Sequence, residues 1–237
     1  MKTQFTLMAL LLVALPFLSA CDQVSGSGRV ATETRNVKPF SRLEVQGSMD
    51  VYVTKGSGGS ATLEAEDNIL PLIELIEDGD KLRIKFRNNV NIRTHKDVKV
   101  ELATDQLTDV ELAGSGDIKI GSHFTADRPV RLSIAGSGDM EAAFSAPEIR
   151  LSIAGAGDID LKGETRDMSV DIAGSGNCNA FDLMAETAEV KIAGSGNIKL
   201  HASRTLKASI LGSGDIYYKG EPSINVDKMG SGGVHKQ

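Results

Sequence analysis

The sequence predicts an all-β fold: a parallel β-helix, or β-solenoid, of stacked coils of 18–22 residues. Three observations predict it. A four-residue turn, Gly-Ser-Gly-Asp or a close variant, recurs seven times, with first glycines at Gly114, Gly136, Gly155, Gly174, Gly194, Gly212 and Gly230. The intervals are 22, 19, 19, 20, 18 and 18 residues, a period at which one coil is too small to bury its own apolar face and must stack on its neighbours. Apolar and polar residues alternate on both sides of each turn, which is the period of a strand and excludes a helical bundle.

The chain opens on an export segment, residues 1–20. Lys2 supplies a positive start, and the apolar run from Leu7 to Leu18 is too short to span a bilayer with ease. The run ends in Leu18-Ser19-Ala20-Cys21, which resembles the bacterial lipobox. On that reading Cys21 becomes the first residue of the mature chain and carries the lipid, and several acyl chains make a stable anchor at about 0.8 kcal/mol per buried methylene. Asp22 leaves the choice of inner or outer membrane open. Residues 21–28 then form the lipidated terminus, and Val24 to Gly28 (Val-Ser-Gly-Ser-Gly) reads as a flexible tether.

Residues 29–237 read as one solenoid domain, irregular over 29–110 and regular over 111–237. In the irregular part, Leu43–Val45, Asp50–Val53, Ala61–Ala65, Lys81–Phe86 and Val98–Leu102 alternate as strands. Gly47-Ser48-Met49-Asp50 is a degenerate corner, Asn68 to Leu75 a short helical turn interrupted by Pro71, and Asp78-Gly79-Asp80 a hairpin. In the regular part, Ile134, Ile153, Ile172, Ile192 and Ile210 stand two residues before each corner. Ile118, Met140, Ile159, Cys178, Ile198, Ile216 and Val234 stand four after it. Stacking places these in dry columns about 4.8 Å from rung to rung. Cys178 fills an isoleucine slot and reads as a small buried hydrophobe; with Cys21 lipidated it has no disulfide partner. Alanines such as Ala135 and Ala154, just before each glycine, are expected to keep the corner narrow. Lys228 replaces an inward isoleucine, so residues 229–237 read as a frayed, polar cap.

The corner ends in Asp117, Asp139, Asp158, Asn177, Asn197, Asp215 and then Gly233. A calcium ladder would need the turn on both sides of the coil, and two adjacent rungs are uncharged. The favoured reading is an Asx-turn, each side chain accepting a hydrogen bond from nearby backbone. No metal or cofactor is expected: His95, His123, His201 and His235 lack metal-ligand spacing. Removing residues 1–20 leaves 25 basic against 32 acidic residues, which argues against nucleic acid as a partner. Aromatic residues are 4% of the chain, with no tryptophan, which counts mildly against a sugar-binding groove.

The run from Arg35 (Arg-Asn-Val-Lys-Pro-Phe-Ser) through Val53, then Glu66-Asp67-Asn68-Ile69-Leu70, the Gly-Ser-Gly-Asp ladder, and Gly214-Asp215-Ile216-Tyr217-Tyr218-Lys219-Gly220-Glu221-Pro222 together resemble the "putative auto-transporter adhesin, head GIN domain" family of bacterial envelope lipoproteins. The resemblance covers about residues 29–235. It implies a right-handed β-helix and an adhesin-like role, and it carries over no catalytic residue. The expected function is thus a non-catalytic, lipid-anchored binding module of the bacterial cell envelope, held to the membrane through Cys21, with an envelope protein or polysaccharide as ligand. An outer row of Lys119, Glu141, Asp160, Asn179, Lys199 and Tyr217 reads first as a solvated face and, for a binding module, as its contact face. The alternatives are a structural role in envelope assembly or a polysaccharide-acting β-helix enzyme, which would need paired carboxylates in a loop-built groove.

Overall fold

The computed structural model describes residues 22–237. The stretch read as an export segment and Cys21 lie outside the described residues.

Among the described residues nine strands precede the regular repeat: β1 (Asp22–Ser25), β2 (Val30–Asn36), β3 (Arg42–Gly47), β4 (Asp50–Lys55), β5 (Ser60–Glu66), β6 (Ile73–Asp78), β7 (Lys81–Phe86), β8 (Val90–Arg93) and β9 (Lys99–Thr104). Ten follow: β10 (Asp109–Gly114), β11 (Ile118–Thr125), β12 (Val130–Gly136), β13 (Met140–Gly155), β14 (Ile159–Gly174), β15 (Cys178–Gly194), β16 (Ile198–Gly212), β17 (Ile216–Lys219), β18 (Ser223–Gly230) and β19 (Val234–Lys236). One 3-10 turn, Leu70–Leu72, stands where the short helical turn around Pro71 is predicted.

The regular part is a β-solenoid. From β10 to β19 every hydrogen-bonded pair is parallel, the register shifts only away from the corners, and each first glycine stacks on the next: Gly114 on Gly136, Gly155, Gly174, Gly194, Gly212 and Gly230 in turn. The predicted interior columns form. Ile134, Ile153, Ile172, Ile192 and Ile210 are consecutive rungs, all buried. So are Ile118, Met140, Ile159, Cys178, Ile198 and Ile216. Each such side chain contributes about 1.5–3 kcal/mol by leaving water. Cys178 is buried as expected, and burial pushes its thiol up to about 12, so it is a packing residue and not a nucleophile.

The corner is set by its glycines. At Gly174 φ is +133°, and a Cβ there would sit 2.2 Å from the carbonyl oxygen of Gly155 in the coil beneath. That carbonyl accepts from the N–H of Ser175 at 2.9 Å, the bond that joins the corners. The alanines do not narrow the corner: Ala135, Ala154, Ala173 and Ala193 face outward and are exposed, and Leu211 and Met229 occupy the same place without disturbing the register.

The Asp/Asn column is not a set of local Asx-turns. Each side-chain oxygen accepts from the backbone N–H of the equivalent residue one coil further on. Asp50 accepts from Asp117 at 3.2 Å, Asp117 from Asp139 at 2.9 Å, Asp139 from Asp158 at 2.9 Å and Asp158 from Asn177 at 2.8 Å. Asn177 accepts from Asn197 at 3.0 Å, Asn197 from Asp215 at 2.9 Å and Asp215 from Gly233 at 2.8 Å. The strands break at the corner, so the side chain supplies the acceptor that a strand carbonyl would otherwise supply. Only one oxygen per rung is needed, hence Asn serves as well as Asp. Gly233 needs only its N–H, because no further coil stacks on it among the described residues.

The irregular part departs from a run of coils in chain order. β7 and β9 form a coil that lies beneath β3 and β4, whereas β10 and β11 lie above them. The chain therefore lays down the 42–55 coil, passes under it for residues 81–104, and returns over it. Beneath β7 and β9 the parallel pattern stops: β6 pairs antiparallel with β7 through the predicted turn at Gly79, β5 antiparallel with β9, and β2 antiparallel with β5. Glu44 of β3, buried, ties this end together. Its burial pushes the carboxyl up, but ion pairs to Lys81 and Arg83 of β7 and the amide of Gln46 outweigh that and hold it below the usual range.

Two expectations about the ends are corrected. The stretch read as a flexible tether is docked. β1 pairs parallel with β8, the Gly26 N–H donates to the Arg93 carbonyl at 2.9 Å, and the Gly28 N–H donates to Glu66 Oε1 at 2.7 Å. A Cβ on Gly26 would overlap the Glu66 carboxylate, so that glycine serves close approach and not flexibility. The opposite end is not frayed: β18 pairs with β16 over eight residues and β19 with β17 over three. Backbone pairing to the coil beneath orders it, although Ile224 and Val226 stay exposed.

Candidate binding face

Five residues after each first glycine the side chain points outward, because successive strand residues alternate between core and solvent. Parallel register lines these positions up. Tyr52 of β4 pairs with Lys119, and Glu141, Asp160, Asn179, Lys199, Tyr217 and His235 continue the column. The row expected from the sequence therefore exists in the expected order, extended at both ends by Tyr52 and His235. Both were legible, since they stand five residues after Gly47 and Gly230. The degenerate corner at Gly47 and the divergent last repeat hid them.

The column carries its own contacts. Lys119 Nζ lies 3.0 Å from the Glu141 carboxylate, and the hydrogen bond and charge of Glu141 hold the Lys119 ammonium above the usual lysine range. Asn179 Nδ2 donates to Asp160 Oδ1 at 2.6 Å. The Tyr217 and His235 rings stack at 5.3 Å between centroids, 29° from parallel, and His235 Nε2 lies 3.3 Å from Asp215 Oδ1. Lys199 enters no ion pair among the described residues.

Two residues nearer the corner runs the Asp/Asn column. Both columns face outward across the buried rungs Ile159, Cys178 and Ile198, about 6.6 Å apart along the strands. Between them lies a shallow recess of about 410 Å³, walled by Asp158, Asp160, Asn177, Asn179, Asn197, Lys199 and Tyr217. The preceding coils carry a second, more acidic recess of about 260 Å³, with Asp117, Asp139, Glu141 and Asp160 against Lys119 and Tyr52. On the other sheet face Asp109, Arg131 and Arg150 are successive rungs of a mixed-charge groove of about 450 Å³ over a floor that includes Ser133 and Ser152. The sequence reading did not single that groove out.

The histidines are dispersed. His95 contacts Ser25 Oγ at 3.1 Å, His123 contacts Ser145 Oγ at 2.9 Å, and His235 belongs to the tyrosine stack. His201 is half-buried. Among the described residues no group of His, Cys, Asp and Glu is arranged to hold a metal ion, and no helix is long and apolar enough to cross a membrane.

A putative adhesin from Bacteroides fragilis superposes with a TM-score of 0.83 at 24% identity, covering 90% of this chain and 100% of that one. A protein from Parabacteroides distasonis, described as a putative lipid binding protein, superposes at 0.76 and 26% identity over 91% of this chain and 100% of its own. A putative adhesin from the same species reaches 0.74 at 23% identity, again over 91% and 100%. No curated protein matches the chain. The family described as "Putative auto-transporter adhesin, head GIN domain" matches residues 39–222, from just before β3 to just past β17, and the chain belongs to that family.

Proposed function

We propose that the protein is a non-catalytic, lipid-anchored adhesin-like module of the bacterial cell envelope, which presents its sheet face to a ligand. One observation carries this reading: the column from Tyr52 to His235 aligns eight exposed or half-exposed side chains of varied chemistry on a rigid parallel sheet, and none of them fills the core. Family membership points the same way. Binding fits better than catalysis because one oxygen of each of two recess carboxylates is already held by a protein donor, which fixes the carboxylate in place. Asp158 Oδ1 accepts from both the backbone and the side chain of Asn177, and Asp160 Oδ1 accepts from Asn179. The corners are short, so no long loop closes over them to exclude water. β1 pairs with β8 from Asp22 onward, so a chain anchored at Cys21 would be held close to its membrane with little slack.

The test joins anchoring to exposure. Cells producing the protein should incorporate labelled palmitate into it, lose that label in Cys21→Ser, and lose the domain when intact cells are treated with protease. Beads coated with the purified protein should adhere to bacterial envelopes. Protection from protease on intact cells together with non-adherent beads overturns the reading.

A further inference from the structure

We infer that the recess beside Tyr217 is a subsite for a neutral glycan, with Tyr217 as the platform on which a sugar ring stacks. The inference rests on the adhesin reading and specifies its ligand. Aromatic scarcity argued against sugar binding, but placement matters more than number. Of the three tyrosines in the chain, Tyr218 packs against the core, and the other two, Tyr52 and Tyr217, both stand on the one outward column. Tyr217 is braced from above by the His235 ring at 5.3 Å. Its neighbour on the rung below is Lys199, then Asn179 and Asp160.

Hydrogen-bonding chemistry selects the class of ligand. Asp158 and Asp160 each commit one carboxylate oxygen to the protein and keep the other as an acceptor. Asn179 spends an amide donor on Asp160 and keeps its carbonyl. Lys199 offers an ammonium with no ion-pair partner among the described residues. An anionic ligand would meet two carboxylates and a cationic one would meet Lys199. A hydroxyl group donates to the former and accepts from the latter, so a polyhydroxylated neutral ring satisfies the whole wall. Acceptors and donors stand on a grid of about 4.8 Å between coils and about 6.6 Å along the strands, a field on the scale of one sugar ring, with an aromatic face at its edge. The grid continues from coil to coil, which suits a chain of sugars better than a single one.

The experiment titrates the purified protein with chitohexaose and cellohexaose as neutral probes and hexagalacturonate as an anionic one, read by calorimetry and by tyrosine emission. The chain has no tryptophan, so its emission comes from three tyrosines and ring stacking on Tyr217 is directly visible. At least one neutral probe should bind saturably and perturb the emission. Tyr217→Ala should weaken it about tenfold or more, and Tyr217→Phe should retain it. Lys199→Ala, an exposed change that does not threaten folding, should weaken it several-fold. Absence of binding by both neutral probes, binding by hexagalacturonate alone, or affinity untouched in both Tyr217→Ala and Lys199→Ala overturns the assignment. Should coated beads adhere to envelopes while neither neutral probe binds, the glycan assignment falls and the adhesin reading stands; if the beads also fail, both fall.

Discussion

The two ends of this molecule solve the same burial problem in different ways. Above β11 each coil repeats the one beneath, and its stability rests on three recurring devices: glycine contact at the corner, apolar rungs inside, and an Asp or Asn oxygen reaching the next coil. Below β10 little repeats. The coil order leaves the chain order, the sheet turns antiparallel, and single contacts such as Glu44 with Lys81 and Arg83, or Glu66 with the Gly28 N–H, hold parts together. A repetitive stack tolerates variation at any one rung that keeps its shape, as Cys178 and Met140 show among isoleucines. It tolerates none where backbones touch. An aperiodic cap depends on each contact individually, but it ends the stack by changing strand direction, which removes the template for adding another parallel coil.

The sharpest way to break this contrast is at the corner. Gly174→Val should be the most damaging single change, costing about 4 kcal/mol or more or preventing folding, because the new side chain meets the Gly155 carbonyl and sits at φ +133°. Gly79→Ala in the β6–β7 hairpin has positive φ but open space, and should cost only about 1 kcal/mol. Urea denaturation of both variants measures the difference; equal losses would deny that inter-coil contact, and not backbone conformation, sets the corner.

Next in size is the buried ion cluster of the cap. Glu44→Ala should cost about 2 kcal/mol, somewhat less than a fully buried pair because Lys81 and Arg83 remain partly exposed. The sign with pH follows from its lowered carboxyl. The Glu44 contribution is present above the unfolded value near 4.5 and is lost as pH falls through the lower folded value, so wild type and Glu44→Ala should converge in stability in acid. A gap that persists at pH 2 would assign the effect to packing.

The smallest test addresses the corner column. Asn177→Asp keeps the oxygen that accepts from the Asn197 N–H but places a charge beside Asp158 and removes the Nδ2 donor to it. It should cost about 1 kcal/mol at neutral pH and less in acid. Calcium should leave the melting temperature of both proteins unchanged; a steep rise would reinstate the metal ladder in place of the hydrogen-bonded one.

The sequence determined whatever repeats at a fixed offset. Ile172 lies over Ile153, Gly174 over Gly155 and Asn179 over Asp160 because in-register parallel stacking maps equal offsets onto neighbours, so the core and the outer column follow from periodicity alone. The seat of Tyr52 and His235 on that column belongs to the same rule, blurred by weak corners. Only the tertiary structure decided what depends on pairing between distant segments. It set the insertion of residues 42–55 between 81–104 and 109–125, the docking of β1 on β8, and the donors to the corner carboxylates. Those contacts arise from unlike segments meeting once, and a pattern that occurs once leaves no period to read.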